Sequence, residues 1–355
     1  MDQKDYAATT TIEYVNGSAI AYDTDHMVYV RHYYLYCLEL LKQALSKSPV
    51  PVNLMLGDCK PRFANRNKTY RVALQYEHTL VKQGGRNANG AIIGNVMAAD
   101  GTPYLVRIEN YGFFAWQDFV IEYSMPNLVN IERYGKLQNY LEKCACISPV
   151  LYAYDQQAVT RTVRSRQVVT TFNNPNEPRR KHLLDDMRAR GLNCVNERGR
   201  FSSEDIAALY TDTRVLVNVH QTPHHHTFEE LRVLPALLCG CVIVSEDVPL
   251  KEAIPYSEFI IWADYDSIAE KVKEVSDNYA QYFDQIFSGN ALAETIRKME
   301  DDNVRNADRI VRNIGVYRAA QISKRPLYFL AHKMRRAIAD WSLPLRRRVL
   351  RIRSR

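Results

Sequence analysis

The 355 residues contain no apolar run near the ~18 that a membrane-spanning helix needs. The N-terminus is polar and has no signal-peptide pattern, so a cytoplasmic setting is expected. The seven cysteines include no Cys-x-x-Cys pair. Cys144/Cys146 and Cys239/Cys241 are each separated by one residue, a spacing that suits strands or packing better than zinc. An odd number of cysteines also argues against a disulfide framework and for a reducing compartment, where the sequons at Asn16 and Asn67 would stay unmodified. Gly-x-Gly-x-x-Gly and Walker-type phosphate loops are absent, which removes two nucleotide-loop signatures. His224, His225 and His226 are adjacent, and three such neighbours rarely converge on one ion. A polar loop is expected there, and no metal ligand is assigned.

The C-terminus has little acid. Residues 324–355 hold eleven Lys or Arg against Asp340 alone, a charge of +10. The overall +7 therefore leaves the rest of the chain at −3, so the basic character belongs to the tail. Leu327, Phe329, Leu330, Met334, Ile338 and Trp341 are interleaved with that charge. A basic amphipathic helix of this kind suits an anionic membrane surface. Nucleic acid and a disordered solubilising tail are the competing readings.

What is present reads as α/β. The length suits two cores, and a polar linker at 155–166 divides them. The expected division is 1–157, 158–320 and a basic tail, 321–355. In the first half, Leu35, Leu38, Leu41 and Leu45 predict a helix over 28–46. Strands are expected over 52–58, 71–79, 104–110, 118–124 and 148–154, with helix over 131–143. In the second half, strand 168–172 leads to a helix over 179–190 ended by Gly191, then a short strand at 193–197. Ser202, Ser203 and Glu204 open a helix before strand 215–220. Further strands are expected at 241–245 and 259–262, then helix from Asp266 to about 283 and again over 291–320. This alternation predicts a parallel, doubly wound sheet.

The segment from 215 to 246 carries the chemistry. A buried strand ends at His220, a polar loop follows, and a helix is expected from Phe228. Thr227 and Glu230 have the spacing of a capping box. Such a helix start suits a phosphate. Glu229, in the same turn, suits hydroxyls such as those of a ribose, and Arg232 offers a fork of donors. Phosphate plus polyol points to a nucleotide or a nucleotide-sugar. Glu246 follows a strand end and is read either as a sugar contact or as a cap before Pro249. Arg179, Arg180 and Lys181 open a helix; they hold the diphosphate or form a solvated basic face. Asp58, Glu77 and His78 fall near strand ends in the first half and are candidates for a general base. Lys82 to Arg86 is read as an anion cradle or a flexible turn.

The run FEELRVLPALLCGCVIVS, residues 228–245, resembles the donor-binding half of GT-B glycosyltransferases, of group-1-like and exostosin-like type. Glu229, Arg232, Gly240, Ser245 and Glu246 match that pattern. Pro235 stands where many retaining members have a second Glu, so the usual Glu-x7-Glu pair is absent. The resemblance implies two Rossmann-like domains facing across a cleft. The donor-binding residues would be Glu229, Arg232, His220, Thr227, Glu246, Arg179 and Lys181. It also implies a nucleotide-sugar substrate held by the second domain. No Asp-x-Asp metal signature is read in the sequence, so no metal or other cofactor is expected; the acceptor is expected to be a glycan, lipid-linked or protein hydroxyl, with the tail on an anionic membrane. A phosphate-ester hydrolase of similar architecture and a non-catalytic nucleotide- or nucleic-acid-binding protein are the alternatives.

Overall fold

The computed structural model describes residues 10–23, 30–57, 59, 61–77, 79–82, 96–98, 104–108, 111–199 and 202–313. Strands β1 (Thr11–Val15) and β2 (Ser18–Tyr22) form a hairpin. Asn16 and Gly17 turn it with φ of 46° and 73°, the left-handed pair that matches the strand twist. Helix α1 (Arg31–Ser46) then crosses over to β3 (Asn53–Leu56), burying Tyr34, Cys37, Leu38, Leu41 and Leu45 on one face. After β4 (Thr69–Gln75) the chain leaves the sheet. It builds a separate antiparallel sheet from β5 (Leu80–Lys82), β6 (Val96–Ala98) and β7 (Tyr104–Arg107), and then α2 (Tyr111–Phe114). It returns as β8 (Phe119–Glu122), α3 (Met125–Tyr134), α4 (Gln138–Leu141) and β9 (Cys144–Cys146). The main sheet has the order β1-β2-β3-β4-β8-β9 and is parallel from β2 onward.

Three expectations for this half need correction. The strand expected over 104–110 pairs in the small antiparallel sheet, not in the main one. The helix expected over 131–143 is split where Gly135 takes φ 73° and donates to the Glu132 carbonyl. The strand expected over 148–154 does not form. Pro149 has no N–H to give, and the Asn303 side chain takes both the Ser148 N–H (2.8 Å) and its carbonyl (2.9 Å). Cys144–Cys146 closes the sheet instead.

The expected linker contains a helix, α5 (Gln156–Arg161), capped by the Asp155 carboxylate, which accepts the N–H groups of Gln157 and Ala158. Then follow β10 (Arg166–Thr170), α6 (Pro178–Ala189), β11 (Cys194–Asn196), α7 (Ser203–Thr211), β12 (Thr213–Asn218), α8 (Glu230–Leu238) and β13 (Val242–Glu246). The unit ends with β14 (Ile260–Ala263), α9 (Ile268–Asp277), α10 (Tyr279–Phe287) and α11 (Ala291–Asn313). Every pairing is parallel, in the order β11-β10-β12-β13-β14. The helix expected from Asp266 to about 283 starts two residues later and breaks at Asn278, whose amide donates to the Glu274 carbonyl at 2.9 Å. Gly240, at φ 88°, turns α8 into β13. A Cβ there would collide with Arg164 Nη2 and Val159 Cγ1.

The chain therefore forms two Rossmann-like α/β domains with separate sheets. Helix α11 ties them together. Leu292, Ile296 and Met299 lie in the second core, while Ala307, Ile310 and Val311 lie in the first, against α1. No helix among the described residues is long and apolar enough to cross a membrane. The +10 tail and the 82–86 cradle lie outside the described residues, apart from Lys82.

Candidate active site

In the second sheet the winding reverses between β10 and β12, where a parallel α/β sheet opens a crevice beyond its strand C-termini. A cavity of about 290 Å3 lies there, closed on its far side by the first domain. Thr171 and Asn173 follow β10, Glu197 to Gly199 follow β11, and Glu229 and Arg232 come from α8. The opposite wall has Arg31 and His32 from the first turn of α1, Tyr76 after β4 and Tyr123 after β8. Both sheets thus present their strand C-termini to one space.

Glu229 is the N-cap residue of α8 and makes no side-chain cap; its carboxylate lies 3.9 Å from Arg232 Nη2. Arg232 Nη1 donates to Asn218 Oδ1 at 3.1 Å. The helix starts at Glu230, two residues later than expected, and the capping box does not form. The Thr227 hydroxyl is occupied elsewhere. It accepts the N–H groups of Thr79 (3.0 Å) and Leu80 (2.8 Å) from the first domain and donates to Asn127 Oδ1 (3.4 Å). The His226 N–H donates to the Leu80 carbonyl at 3.0 Å. Thr227 is thus an interdomain staple and does not line the cavity. Glu230 is not a cap either. It is buried, accepts from the Tyr256 hydroxyl at 3.1 Å, and burial raises its pKa to about 7.

Arg179, His220 and Glu246 form one clamp. Arg179 grips both Glu246 carboxylate oxygens, with Nη1 to Oε2 at 2.7 Å and Nη2 to Oε1, and Nη1 also donates to the His220 carbonyl at 3.1 Å. The His220 N–H donates to Glu246 Oε2 at 3.0 Å. The guanidinium lies 3.6 Å from the Tyr265 ring centroid, and the Tyr265 hydroxyl donates to the Arg179 carbonyl at 2.6 Å. Burial works to raise the Glu246 carboxyl, yet Arg179's hydrogen bonds and charge hold it below its ordinary value. The clamp fastens α6 to the ends of β12 and β13. Lys181 points away from it, exposed and paired with Asp185.

Arg180 is the residue that the sequence reading did not separate from its neighbours. It is 4% exposed and packs over the Phe172 ring at 4.6 Å. No described carboxylate lies within ion-pair distance, and its Nε has no hydrogen-bond partner among the described residues. Burial first, and then the charge of Arg232, lower its pKa to about 10. A signal for this was present. Leu183, Leu184 and Met187 follow Arg180 at helical spacing and form the buried face of α6. The Glu177 carboxylate caps α6, accepting the N–H groups of Arg179 and Arg180 at 3.1 Å each, so that helix end is filled by its own chain.

Of the base candidates, Asp58 and His78 lie outside the described residues. Glu77 does not line the cavity, although its neighbour Tyr76 does; its N–H donates to Gln75 Oε1 at 3.1 Å. His32 lines the cavity and carries no motif that would mark it in sequence. The reading that the sequence holds no Asp-x-Asp spacing needs correction, because Asp264 and Asp266 flank Tyr265. Among the described residues no group of three or more His, Cys, Asp or Glu is disposed to hold an ion.

The cavity thus lies where open α/β sheets bind ligands, beyond the strand C-termini. Residues 179–311 match a family model described as glycosyl transferase-like. Over 217 residues, 59% of this chain and 74% of the relative, the sequence is 30% identical to a protein of Acanthamoeba polyphaga mimivirus that is itself uncharacterized. Residues 179–311 thus form a glycosyl transferase-like domain.

Proposed function

We propose that the chain moves a sugar from a nucleotide-diphosphate donor, held by the second domain, to a hydroxyl acceptor held by the first. Arg180 carries this reading: it does not itself line the cavity, but it lies close enough to Arg232 and Glu229, which do, for their charges to act on it. Buried with no ion-pair partner among the described residues, its guanidinium would be completed by a ligand anion. A diphosphate suits the need, since it is dianionic near neutral pH and matches the planar fork. Arg232 adds a second fork beside it, and the Glu229 carboxylate suits the ribose hydroxyls. Arg232 in the cavity, with Arg180 close behind it, would supply the departing diphosphate with the charge that a metal supplies in other transferases. His32, on the opposite wall, is the candidate to take the acceptor proton.

The test is calorimetric titration with a panel of nucleoside diphosphates. Arg180→Met and Arg232→Ala should each weaken binding about ten- to a hundredfold, the cost of a charged hydrogen bond. Unchanged affinity in both would sink the reading. Sugar transfer should persist in EDTA; abolition, with rescue by magnesium or manganese, would overturn the metal-independent GT-B assignment. The acceptor is proposed to lie at an anionic membrane face because residues 324–355 carry +10. Each basic residue near such a surface contributes on the order of 1 kcal/mol. Equal vesicle sedimentation of the full chain and residues 1–323 would reject that part.

A further inference from the structure

The geometry points to Asn218 as the positioning residue that holds the Arg232 guanidinium in the cavity, through a one-way chain of hydrogen bonds across β12 and β13. This rests on the reading that the cavity takes a nucleotide diphosphate. Asn218 and Ser245 face each other in the strand register and are both buried. Arg232 Nη1 donates to Asn218 Oδ1 (3.1 Å), Asn218 Nδ2 donates to Ser245 Oγ (3.0 Å), and the Ser245 hydroxyl donates to the Glu246 carbonyl (3.1 Å).

The direction of this chain follows from one fact. A guanidinium has donors and no acceptor. Asn218 must therefore present its oxygen to Arg232, and its amide NH2 must face Ser245. Ser245 then has to accept, so its own proton goes to the Glu246 carbonyl. Each member is held in one orientation by the next, and the last is the residue that Arg179 grips. The arrangement also keeps Arg232 cationic toward the ligand. Asn218 is neutral and orients the guanidinium without cancelling its charge. Glu229, the carboxylate beside it, is 3.9 Å away, at the limit of an ion pair. A carboxylate in place of Asn218 would hold Arg232 equally well and neutralise it.

Two variants of the full chain separate these roles. Asn218→Leu removes the acceptor. Asn218→Asp keeps shape and acceptor and adds the charge. With 15N-labelled arginine, the Arg232 Nε–H signal should lose order in Asn218→Leu and keep it in Asn218→Asp. Nucleoside diphosphate affinity should fall roughly 3- to 10-fold in Asn218→Leu, and also in Asn218→Asp. Asn218→Leu combined with Arg232→Ala should bind no more weakly than Arg232→Ala alone, because both act through one guanidinium. An Arg232 signal equally ordered in wild type and Asn218→Leu would overturn the proposal, as would losses that multiply in the double variant. If the wild type binds no nucleoside diphosphate, the donor reading fails and the arginine signal still decides the role of Asn218. A lower melting temperature with Arg232 order and affinity intact would mean a structural role only, which also overturns it.

Discussion

In the second domain an α-helix lies between successive strands from β10 to β13, two short 3-10 turns lead on to β14, and all five strands run parallel. In the first domain β4 reaches β8 only after a separate three-stranded antiparallel sheet, and β3 reaches β4 without a helix. The two walls of the cavity differ in the same way. The second-domain wall sets Glu197 and Glu229 beside Arg198 and Arg232, and Arg232 is held by Asn218. The first-domain wall is a helix start, Arg31 and His32, together with tyrosines that follow strands. A regular βα succession fixes where ligand-binding residues fall, because every strand C-terminus opens on one crevice. The first domain reaches the same place by irregular connections, so its functional residues carry no such address.

The sharpest way to break that comparison is His32→Ala. If the first-domain wall supplies the base and the second holds the donor, kcat should fall about 10²- to 10⁴-fold while nucleoside diphosphate affinity is retained. A steady-state assay alongside titration checks this, and lost affinity with kcat kept would place His32 on the donor side.

The next test compares neighbours on α6. Arg179→Met leaves Glu246 buried without its partner and should cost roughly 3–5 kcal/mol of stability. Arg180→Met keeps the packing on Phe172 and removes a buried charge that has no described counter-ion, so the free protein should be as stable or more stable. Urea unfolding of the two variants measures the contrast. Equal destabilisation would mean that Arg180 is a structural cation.

The smallest expected effect concerns the seam between domains. Glu230 has its folded pKa raised to about 7 from 4.5 by burial. Between those values the folded state binds more protons than the unfolded one, so stability falls as pH rises through that window. The contribution is complete below 4.5 and gone above about 7. Glu122, also buried at the seam, is raised too, by burial first and by Glu230 among its neighbours. Glu230→Gln should flatten the profile by on the order of 1–3 kcal/mol. Unfolding free energies across pH 4.5 to 8 that keep the wild-type slope would reject this account.

How much was legible follows the same division. Gly191 and Gly240 end helices where the sequence suggests, and the runs at β10, β12 and β13 mark strands within one or two residues. Glu229 and Arg232 could be assigned to a strand C-terminus because that placement depends on local order alone. The failures are long-range. Thr227 and Glu230 have cap spacing, but the Thr227 hydroxyl is taken by Thr79 and Leu80, some 148 residues away. The 148–154 strand is lost to Asn303, which is 155 residues away from Ser148.

By itself the sequence determined the periodicities: alternating buried strands and amphipathic helices, a parallel second sheet, and charge gathered beyond its strand ends. These are local properties, set by which side chains share a face. Tertiary structure alone decided which cation of the 179–181 run is clamped, which is buried with no counter-ion among the described residues and which is solvated. It also decided that α11 joins both cores and that His32 faces Arg232 across one cavity. Those outcomes depend on partners brought together from distant parts of the chain, and hydrogen-bond capacity, unlike hydrophobic period, is allotted only once the partners have met.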